Sequence, residues 1–264
     1  MIKLLNSIPP SELWVGLHIS THCNFACPYC YVKEYGGVPS SLTKLGLESI
    51  FAKIKECQHP VHLHILGGEP TIAHLFDYTI ELSLANDNIK STTVFTNGSR
   101  RLRNIKGVDY VVSIHPDFFK PIHIKNFKNI ENLTVRLIMA PSCLSKAKRC
   151  LEILRAAGIE PHPEYIILGT KFEIGEIIDD FELKPTHIFD GEAVPARKVI
   201  EYFLKPGVNF KCIPNELYVK STGEVGMLCR NDSTRDLDYI ANVKIKPQQC
   251  TNKHGCTCIE TIKF

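Results

Sequence analysis

The feature that most constrains the fold is a regular alternation of two hydrophobic patterns along residues 14–181. Short apolar runs rich in β-branched residues alternate with longer segments in which apolar residues recur every three or four positions. The first pattern is typical of buried strands and the second of amphipathic helices. A chain that alternates the two builds a parallel sheet with helices packed on it. We therefore predict an α/β fold.

Six strands are predicted from the apolar runs, over residues 13–20, 61–66, 92–96, 110–114, 133–139 and 164–168. Helices are predicted over 145–157, where Gly158 supplies a stop, and around 47–54. Between the third and fifth strands the links are short and contain Pro116 and Pro121, so weak helices or loops are expected there.

The rhythm changes after about residue 191. Pro195, Pro206 and Gly207 interrupt the pattern, and the remainder is rich in cysteine. We predict a boundary within 195–207, which divides the chain into a core domain of residues 1–200 and a small module of residues 201–264. In that module, 217–220 and 224–228 flank Ser221-Thr222-Gly223 and are predicted to form a β-hairpin.

Composition sets the class of protein. The chain has 264 residues, of which 44% are hydrophobic, enough for a sizeable core, and a net charge of +3. Its one local basic run, residues 99–106 (SRRLRNIK), is interpreted as a solvated turn or helix and not as a nucleic-acid site. Residues 1–12 lack a signal-peptide pattern, and no segment has the length and apolar character of a membrane span. We expect a soluble, cytoplasmic protein without a membrane partner.

Cysteine usage points to metal chemistry. The chain contains 11 cysteines, and because the cytosol keeps thiols reduced, disulfides are not expected. Three lie within eight residues near the start, and five follow residue 211. Cys57 and Cys150 fall on predicted helices and are interpreted as core residues, whereas Cys143 receives no role.

The first cysteine group follows the first predicted strand. Cys23, Cys27 and Cys30 have the spacing Cys-x3-Cys-x2-Cys. Three thiolates on one tight loop can bind three irons of a cubic 4Fe–4S cluster and leave the fourth iron open. Zinc would need a fourth protein ligand, which His22 or His18 could supply, so the spacing alone leaves zinc open.

A second motif, residues 66–71 (LGGEPT), lies at the carboxyl end of the second predicted strand. Glycines allow the backbone to approach a ligand closely, and ligands of parallel sheets bind at the carboxyl ends of the strands. Taken alone, the segment would be an ordinary strand-to-helix turn. One βα unit after the cysteine loop, it strengthens a functional interpretation.

Together the two motifs resemble the signature of the radical S-adenosylmethionine (SAM) superfamily. The resemblance implies that Cys23, Cys27 and Cys30 hold a 4Fe–4S cluster whose open iron binds the amino and carboxylate groups of SAM. Transfer of an electron to SAM would then yield a 5′-deoxyadenosyl radical. It also implies a partial (β/α)6 TIM-like barrel, open on one side, with cluster and SAM at the strand carboxyl ends.

The resemblance further implies a set of SAM-binding residues, with Tyr29 beside the adenine and the Gly-Gly-Glu turn at the amino group. The set comprises Tyr29, Gly67, Gly68, Glu69, Asn97, Ser113, His115 and Arg136. Strand-end capping is an equal alternative for Asn97 and Ser113, as is an ion pair for Arg136. His62 and His64 alternate on one strand and receive no catalytic role.

The tail cysteines are Cys212, Cys229, Cys250, Cys256 and Cys258. Their arrangement around the predicted hairpin is similar to the SPASM or shorter twitch extension of the superfamily. The resemblance implies one auxiliary 4Fe–4S cluster, held by at most four of the five. A zinc-stabilised hairpin is the alternative, since a small module with few apolar residues needs a staple.

The resemblance implies a radical SAM oxidoreductase that draws electrons from a donor such as flavodoxin or ferredoxin. The leading hypothesis is oxidative modification of a peptide or protein, as in maturases of ribosomal peptides or of sulfatases. A second hypothesis is dehydrogenation or rearrangement of a small sugar, amino acid or nucleoside. A third, from another class, is a zinc-binding interaction or nucleic-acid module.

Overall fold

The computed structural model describes residues 2–4, 11–30, 32, 39–139, 143–165, 187–189, 192–194, 211–212, 215–227, 235–245 and 248–249. Within them the strands are β1 Ile2–Leu4, β2 Leu13–His18, β3 Val61–Leu66, β4 Ile89–Thr96, β5 Val108–Ile114, β6 Leu133–Met139, β7 His162–Tyr165, β8 His187–Phe189, β9 Glu192–Val194, β10 Lys211–Cys212, β11 Glu216–Val219, β12 Val225–Met227 and β13 Gln248–Gln249. The α-helices are α1 Lys44–Glu56, α2 Phe76–Leu84, α3 Ile124–Phe127, α4 Leu144–Ala156 and α5 Asp238–Asn242, and 3₁₀ turns cover Pro70–Ile72 and Pro121–His123.

One mostly parallel sheet dominates the described part of the chain. Its strand order is β12-β11-β2-β3-β4-β5-β6-β7. Every neighbouring pair from β11 to β7 is parallel, and β12 alone runs antiparallel to its neighbour β11. The predicted α/β class is therefore confirmed. Within the described residues β12 and β7 are the two edges of this sheet, so the barrel is not closed.

The two faces of the sheet differ in chemistry. On β3, Val61, Leu63 and Ile65 are buried, while the residues between them are half-buried. The buried face packs against the apolar stripes of α1 and α4, which explains why both helices show the predicted spacing. Cys57 and Cys150 lie in this core, as predicted. We call the other side of the sheet, which carries Trp14, His62, His64, Phe95 and Arg136, the polar face.

The predicted strands are all found, with differences at their ends. Strands 61–66 and 133–139 match as predicted, whereas β4 and β5 begin earlier than expected and β2 ends at His18. The sixth begins at His162, and residues 166–168 of its predicted span lie outside the described residues. No α-helix lies within 97–107, and the next link contains only the four residues of α3, in line with the weak links expected there.

The described parts of the tail, residues 215–227 and 235–245, are attached to the main sheet. Strand β11 pairs in parallel with β2 and antiparallel with β12. Side chains add further ties: Ser40 Oγ lies 2.6 Å from Ser221 Oγ, and Lys53 pairs with Asp238 at 2.9 Å. Leu217 and other apolar residues of this segment belong to the same hydrophobic core. The division into residues 1–200 and 201–264 stays a prediction.

Smaller pairings complete the described structure. Strands β1, β8 and β9 form an antiparallel sheet in that order, and β10 pairs with β13. Among the described residues, no helix has the length and apolar character needed to cross a membrane.

Candidate active site

The carboxyl ends of four neighbouring strands bring most of the predicted site residues to one edge of the sheet. The cysteine loop follows β2, the Gly-Gly-Glu turn follows β3, Asn97 follows β4 and His115 follows β5. Ser113 and Arg136 are register partners within β5 and β6. The order of the strands thus gathers residues that are up to 113 positions apart in the chain.

Gly67 and Gly68 are required by the chain that enters the cysteine loop. The Gly68 amide donates to Ser20 O at 2.8 Å, and the next amide, of Glu69, donates to His22 O at 2.8 Å. A Cβ on Gly68 would lie 2.2 Å from His22 O, and one on Gly67 would lie 2.4 Å from Ser20 O. The space that the sequence suggested for a ligand is filled here by backbone. A contact of either glycine with SAM stays a prediction.

Glu69 is buried, with 1% of its surface exposed, and its carboxylate accepts four hydrogen bonds. Oε1 accepts from Thr71 N (3.1 Å), Thr71 Oγ1 (2.6 Å) and Thr96 Oγ1 (2.7 Å), and Oε2 accepts from Asn97 N (2.7 Å). Burial raises the pKa of Glu69, and these hydrogen bonds oppose that rise. The carboxylate therefore ties the end of β3 to the end of β4.

Asn97 extends this connection to the cysteine loop. Its Nδ2 donates to Asn24 Oδ1 at 3.0 Å and lies 3.9 Å from Cys23 Sγ, while its Oδ1 accepts from Ser99 N at 2.9 Å. Asn24 Nδ2 in turn donates to Ser99 Oγ at 2.8 Å. An N–H group near a ligating sulfur is a common means of adjusting the potential of an iron–sulfur centre. Neither Asn24 nor Ser99 was identified from the sequence, because their meeting depends on the strand order.

The three cysteines of the loop lie in different environments and form no disulfide. Cys23 is exposed, Cys27 is buried and Cys30 is half-buried. Burial raises the pKa of Cys27 to about 11, with further contributions from Cys30 and Cys23, and burial also raises the pKa of Cys23. All three lie within eight residues of one loop after β2, which is the arrangement expected of ligands to one group. Metal binding would release their protons.

The donor set fits an iron–sulfur cluster. Within the described residues, no three or more His, Cys, Asp or Glu side chains are arranged around a single ion. A cubic cluster has a different requirement, because each thiolate binds a different iron. Three soft thiols on one loop, one of them near an amide donor, satisfy that requirement.

Aromatic side chains join the cysteine loop to the segment after β5. Tyr29 Oη lies 3.2 Å from His115 Nδ1, and the two rings stack with centroids 5.9 Å apart. Phe25 stacks on Phe118 at 5.0 Å and on His123 at 6.2 Å. Burial lowers the pKa of His115 to about 4 and raises the pKa of Tyr29. His115 is therefore neutral near pH 7 and can exchange a hydrogen bond with the tyrosine.

On the polar face, a row of rings ends in an ion pair. The centroids of Trp14 and His64 are 4.3 Å apart, and those of His64 and Phe95 are 5.0 Å apart. Arg136 lies over the Phe95 ring at 5.4 Å and donates to Glu164 at 3.1 Å. The ion-pair alternative for Arg136 is thus observed, and its contact with SAM stays a prediction.

His62 has neighbours that were not anticipated from the sequence. Its Nε2 lies 2.7 Å from Glu12 Oε2, and its Nδ1 lies 2.8 Å from Ser91 Oγ. The three residues lie where β2, β3 and β4 begin, at the edge opposite the cysteine loop. The carboxylate and the hydroxyl fix the orientation of the imidazole between them. The only feature of the sequence that pointed to His62 was its alternation with His64 on one strand, which does not identify Glu12 or Ser91 as its neighbours.

His64 leads to a prediction on acid stability. Burial, Arg136 and His62 lower the pKa of His64 from 6.5 to about 3. The unfolded chain then binds the proton more tightly than the folded protein does. The free energy of unfolding is therefore unaffected by protonation of His64 above pH 6.5 and decreases as the pH falls from 6.5 toward about 3. Between about pH 7.5 and about pH 5.5, urea unfolding should show wild-type protein losing about 1 kcal/mol more than His64→Phe. Equal losses in both proteins would contradict this assignment.

The tail cysteines lie mostly outside the described residues. Cys212 is the last residue of β10, and its backbone pairs with Gln248 of β13. Cys229, Cys250, Cys256 and Cys258 lie outside the described residues. The auxiliary cluster therefore stays a prediction.

A family model matches the part of the chain that contains the first cysteine group. The family model of the Radical SAM superfamily matches residues 17–183, well over half of the chain. A GTP 3′,8-cyclase of Pasteurella multocida is 28% identical over 104 residues, which are 39% of this chain and 31% of that protein. The chain thus matches about a third of the length of this curated relative.

Solved structures share the fold. Streptococcus suis SuiB bound to S-adenosylmethionine aligns with a TM-score of 0.56 at 16% identity, over 89% of this chain and 64% of SuiB. Native anSMEcpe with bound AdoMet and Kp18Cys peptide aligns with a TM-score of 0.52 at 15% identity, over 81% of this chain and 73% of anSMEcpe. At these identities the likeness shows the fold alone.

Proposed function

Because this chain belongs to the radical SAM superfamily, we propose that it is an oxidoreductase that modifies a peptide or protein with a radical derived from SAM. The observation that carries the proposal is the cysteine loop at the carboxyl edge of a mostly parallel sheet, backed by the Gly-Gly-Glu turn. Members of the superfamily are enzymes. The oxidative outcome and the peptide substrate go beyond the family assignment.

Cys23, Cys27 and Cys30 would hold a 4Fe–4S cluster, which supplies reductive cleavage of SAM to a 5′-deoxyadenosyl radical when it is bound. The chain's own residues position these ligands. Glu69 joins the ends of β3 and β4. Asn97, whose amide donates to Glu69, also donates through Nδ2 to Asn24 and so connects these strand ends to the cysteine loop. The stacked Tyr29 and His115 offer flat apolar surface and hydrogen-bonding atoms beside the loop, as an adenine ring requires.

A peptide substrate is supported by the named neighbours with TM-scores above one half. SuiB has been solved bound to the precursor peptide SuiA, and anSMEcpe with the Kp18Cys peptide. The polar face of the sheet carries aromatic rings and a charged side chain, which are groups that contact an extended chain. We assign that face to the substrate, with the Trp14, His64 and Phe95 rings as its apolar surface.

For the tail we propose a SPASM- or twitch-like module of residues 201–264 with one auxiliary 4Fe–4S cluster, held by four of its five cysteines. The pairing of β10 with β13 supports a shared site, because it sets Cys212 opposite Gln248, two positions before Cys250. Such a cluster would accept the electron that an oxidation releases. Iron that remains on a variant lacking Cys23, Cys27 and Cys30 would support this assignment, and iron-free protein would contradict it.

The primary test uses anaerobically reconstituted protein. With dithionite and SAM it should release 5′-deoxyadenosine, and metal analysis should find iron with acid-labile sulfide. Zinc without sulfide would contradict the proposal.

Incubation with peptides encoded by neighbouring genes should then give a product lighter by two hydrogens. The same mass loss in a sugar or nucleoside, with none in peptides, would contradict the peptide substrate.

A further inference from the structure

We propose that the exposed basic segment 99–106, together with Lys125, is the docking surface for a small acidic electron-donor protein of the flavodoxin or ferredoxin type. This rests on the proposed function, in which SAM cleavage consumes one electron. The reduced donor loses that electron, and the iron–sulfur centre gains it. We call this the basic surface.

The basic surface is built to keep its charges in solvent. Arg100, Arg101, Arg103 and Lys106 are exposed, while Leu102 between them is buried. The Leu102 amide donates to Asn126 O at 2.9 Å, which anchors the segment to the end of α3. The apolar anchor holds the backbone in place, so the arginines form a defined surface.

The positive charge extends across neighbouring elements. From residue 99 to residue 131 the chain contains seven Lys and Arg against three Asp and Glu. Lys125 on α3 is exposed and lines one cleft together with Arg101 and Arg103. Of the nearby acids, Asp77 pairs with Arg103 and Asp117 pairs with Lys146. A net positive field therefore remains around Arg101 and Lys125.

The basic surface is continuous with the exposed side of the cysteine loop. It begins at Ser99, whose hydroxyl accepts from Asn24 at 2.8 Å, and Asn24 is the neighbour of exposed Cys23. Asn126 donates to Ser99 O at 3.0 Å and so connects α3 to the same point. A protein that binds Arg101 and Lys125 would therefore lie next to the first cluster ligand.

The chemistry of the surface favours a redox protein. Weak electron-transfer complexes bury little area and depend on complementary charge for rapid encounter. Nucleic acid would also be attracted to basic side chains. Single strands, however, are bound through stacking on aromatic side chains, and residues 99–106 contain none. An acidic donor protein would be attracted by the exposed positive charge and would be bound close to the cysteine loop.

The test compares two charge reversals. Arg101→Glu/Lys125→Glu changes the basic surface, and Lys55→Glu/Lys90→Glu makes the same charge change at exposed positions near the opposite edge of the sheet. SAM cleavage is measured with reduced flavodoxin and, separately, with dithionite. Binding of flavodoxin is measured directly at low salt. In the first variant we expect flavodoxin-driven cleavage and binding to fall about tenfold and to lose their salt dependence.

Dithionite-driven cleavage should stay within about twofold of wild type in both variants, since a small reductant needs no docking surface. The control should bind flavodoxin as wild type does. Equal losses in the control, or flavodoxin-driven cleavage that the first variant leaves unchanged, would overturn the inference. So would binding of duplex DNA that the first variant abolishes while flavodoxin binding persists. If wild type fails with dithionite too, the proposed function fails, and the binding measurement still decides the docking surface.

Discussion

Cys27→Ala should abolish release of 5′-deoxyadenosine by dithionite-reduced protein. Changes to groups around a metal site already cost about 10–100-fold, so loss of a ligand should lower turnover by more than about 100-fold. Cys27 is buried in the loop with 6% of its surface exposed, so alanine removes the thiol without introducing a larger group. Chromatography of the nucleoside, with iron and sulfide analysis of the same samples, measures the effect.

Cys57→Ala is the matched control. Cys57 is also a buried cysteine outside any disulfide, but it lies at the end of α1 in the hydrophobic core. Removing its sulfur should cost about 1 kcal/mol of unfolding free energy and leave cluster content unchanged. Turnover by Cys27→Ala at the wild-type rate, or loss of the cluster in Cys57→Ala, would contradict the ligand assignment.

Gly68→Ala should damage both the fold and cluster loading. The new Cβ would lie 2.2 Å from His22 O and 2.6 Å from Thr21 O, and backbone atoms cannot move aside as a side chain can. The segment that enters the cysteine loop would have to shift, breaking the amide bonds from Gly68 to Ser20 and from Glu69 to His22. We expect a loss of about 3 kcal/mol in urea unfolding, and reconstituted protein with less than about half of the wild-type iron.

Gly46→Ala provides the comparison. Its Cβ would meet only side chains, the nearest being Thr43 Oγ1 at 3.2 Å at the start of α1. Alanine is also the better helix former, so the net change should stay below about 1 kcal/mol, with normal iron content. If Gly68→Ala were as stable and as well loaded as Gly46→Ala, the close backbone contact would not be essential to the site.

The strands were predictable because alternate burial along a strand requires alternating apolar and polar side chains. Val61, Leu63 and Ile65 face the helices, and the polar residues between them reveal the period. The ends of the strands show no such alternation. β4 begins at Ile89, three residues before its predicted start, because Ile89 pairs with Val61 and Ser91 pairs with His62, with a register shift at Lys90 between them. The ladder hydrogen bonds do not depend on side-chain polarity.

The tail illustrates the same limit on a larger scale. The turn at Ser221-Thr222-Gly223 predicted antiparallel pairing, and Gly223 adopts the positive φ of 87° that such a turn uses. That β11 also pairs with β2 could not be read from either segment, because Leu217 and Val15 are compatible with many partners. Association across about 200 residues is decided by the edge that the folded sheet leaves open.

The α/β class, the positions of the main strands and the two motifs that mark the first cysteine group could all be predicted from the sequence. Each of these depends on local spacing, which survives without knowledge of neighbours. The folded chain was needed to show that Glu69 joins β3 to β4, that Asn97 reaches Cys23, and that the missing Cβ of Gly68 leaves space for the backbone at His22. These contacts require the order and register of parallel strands, which are set by packing of the whole sheet.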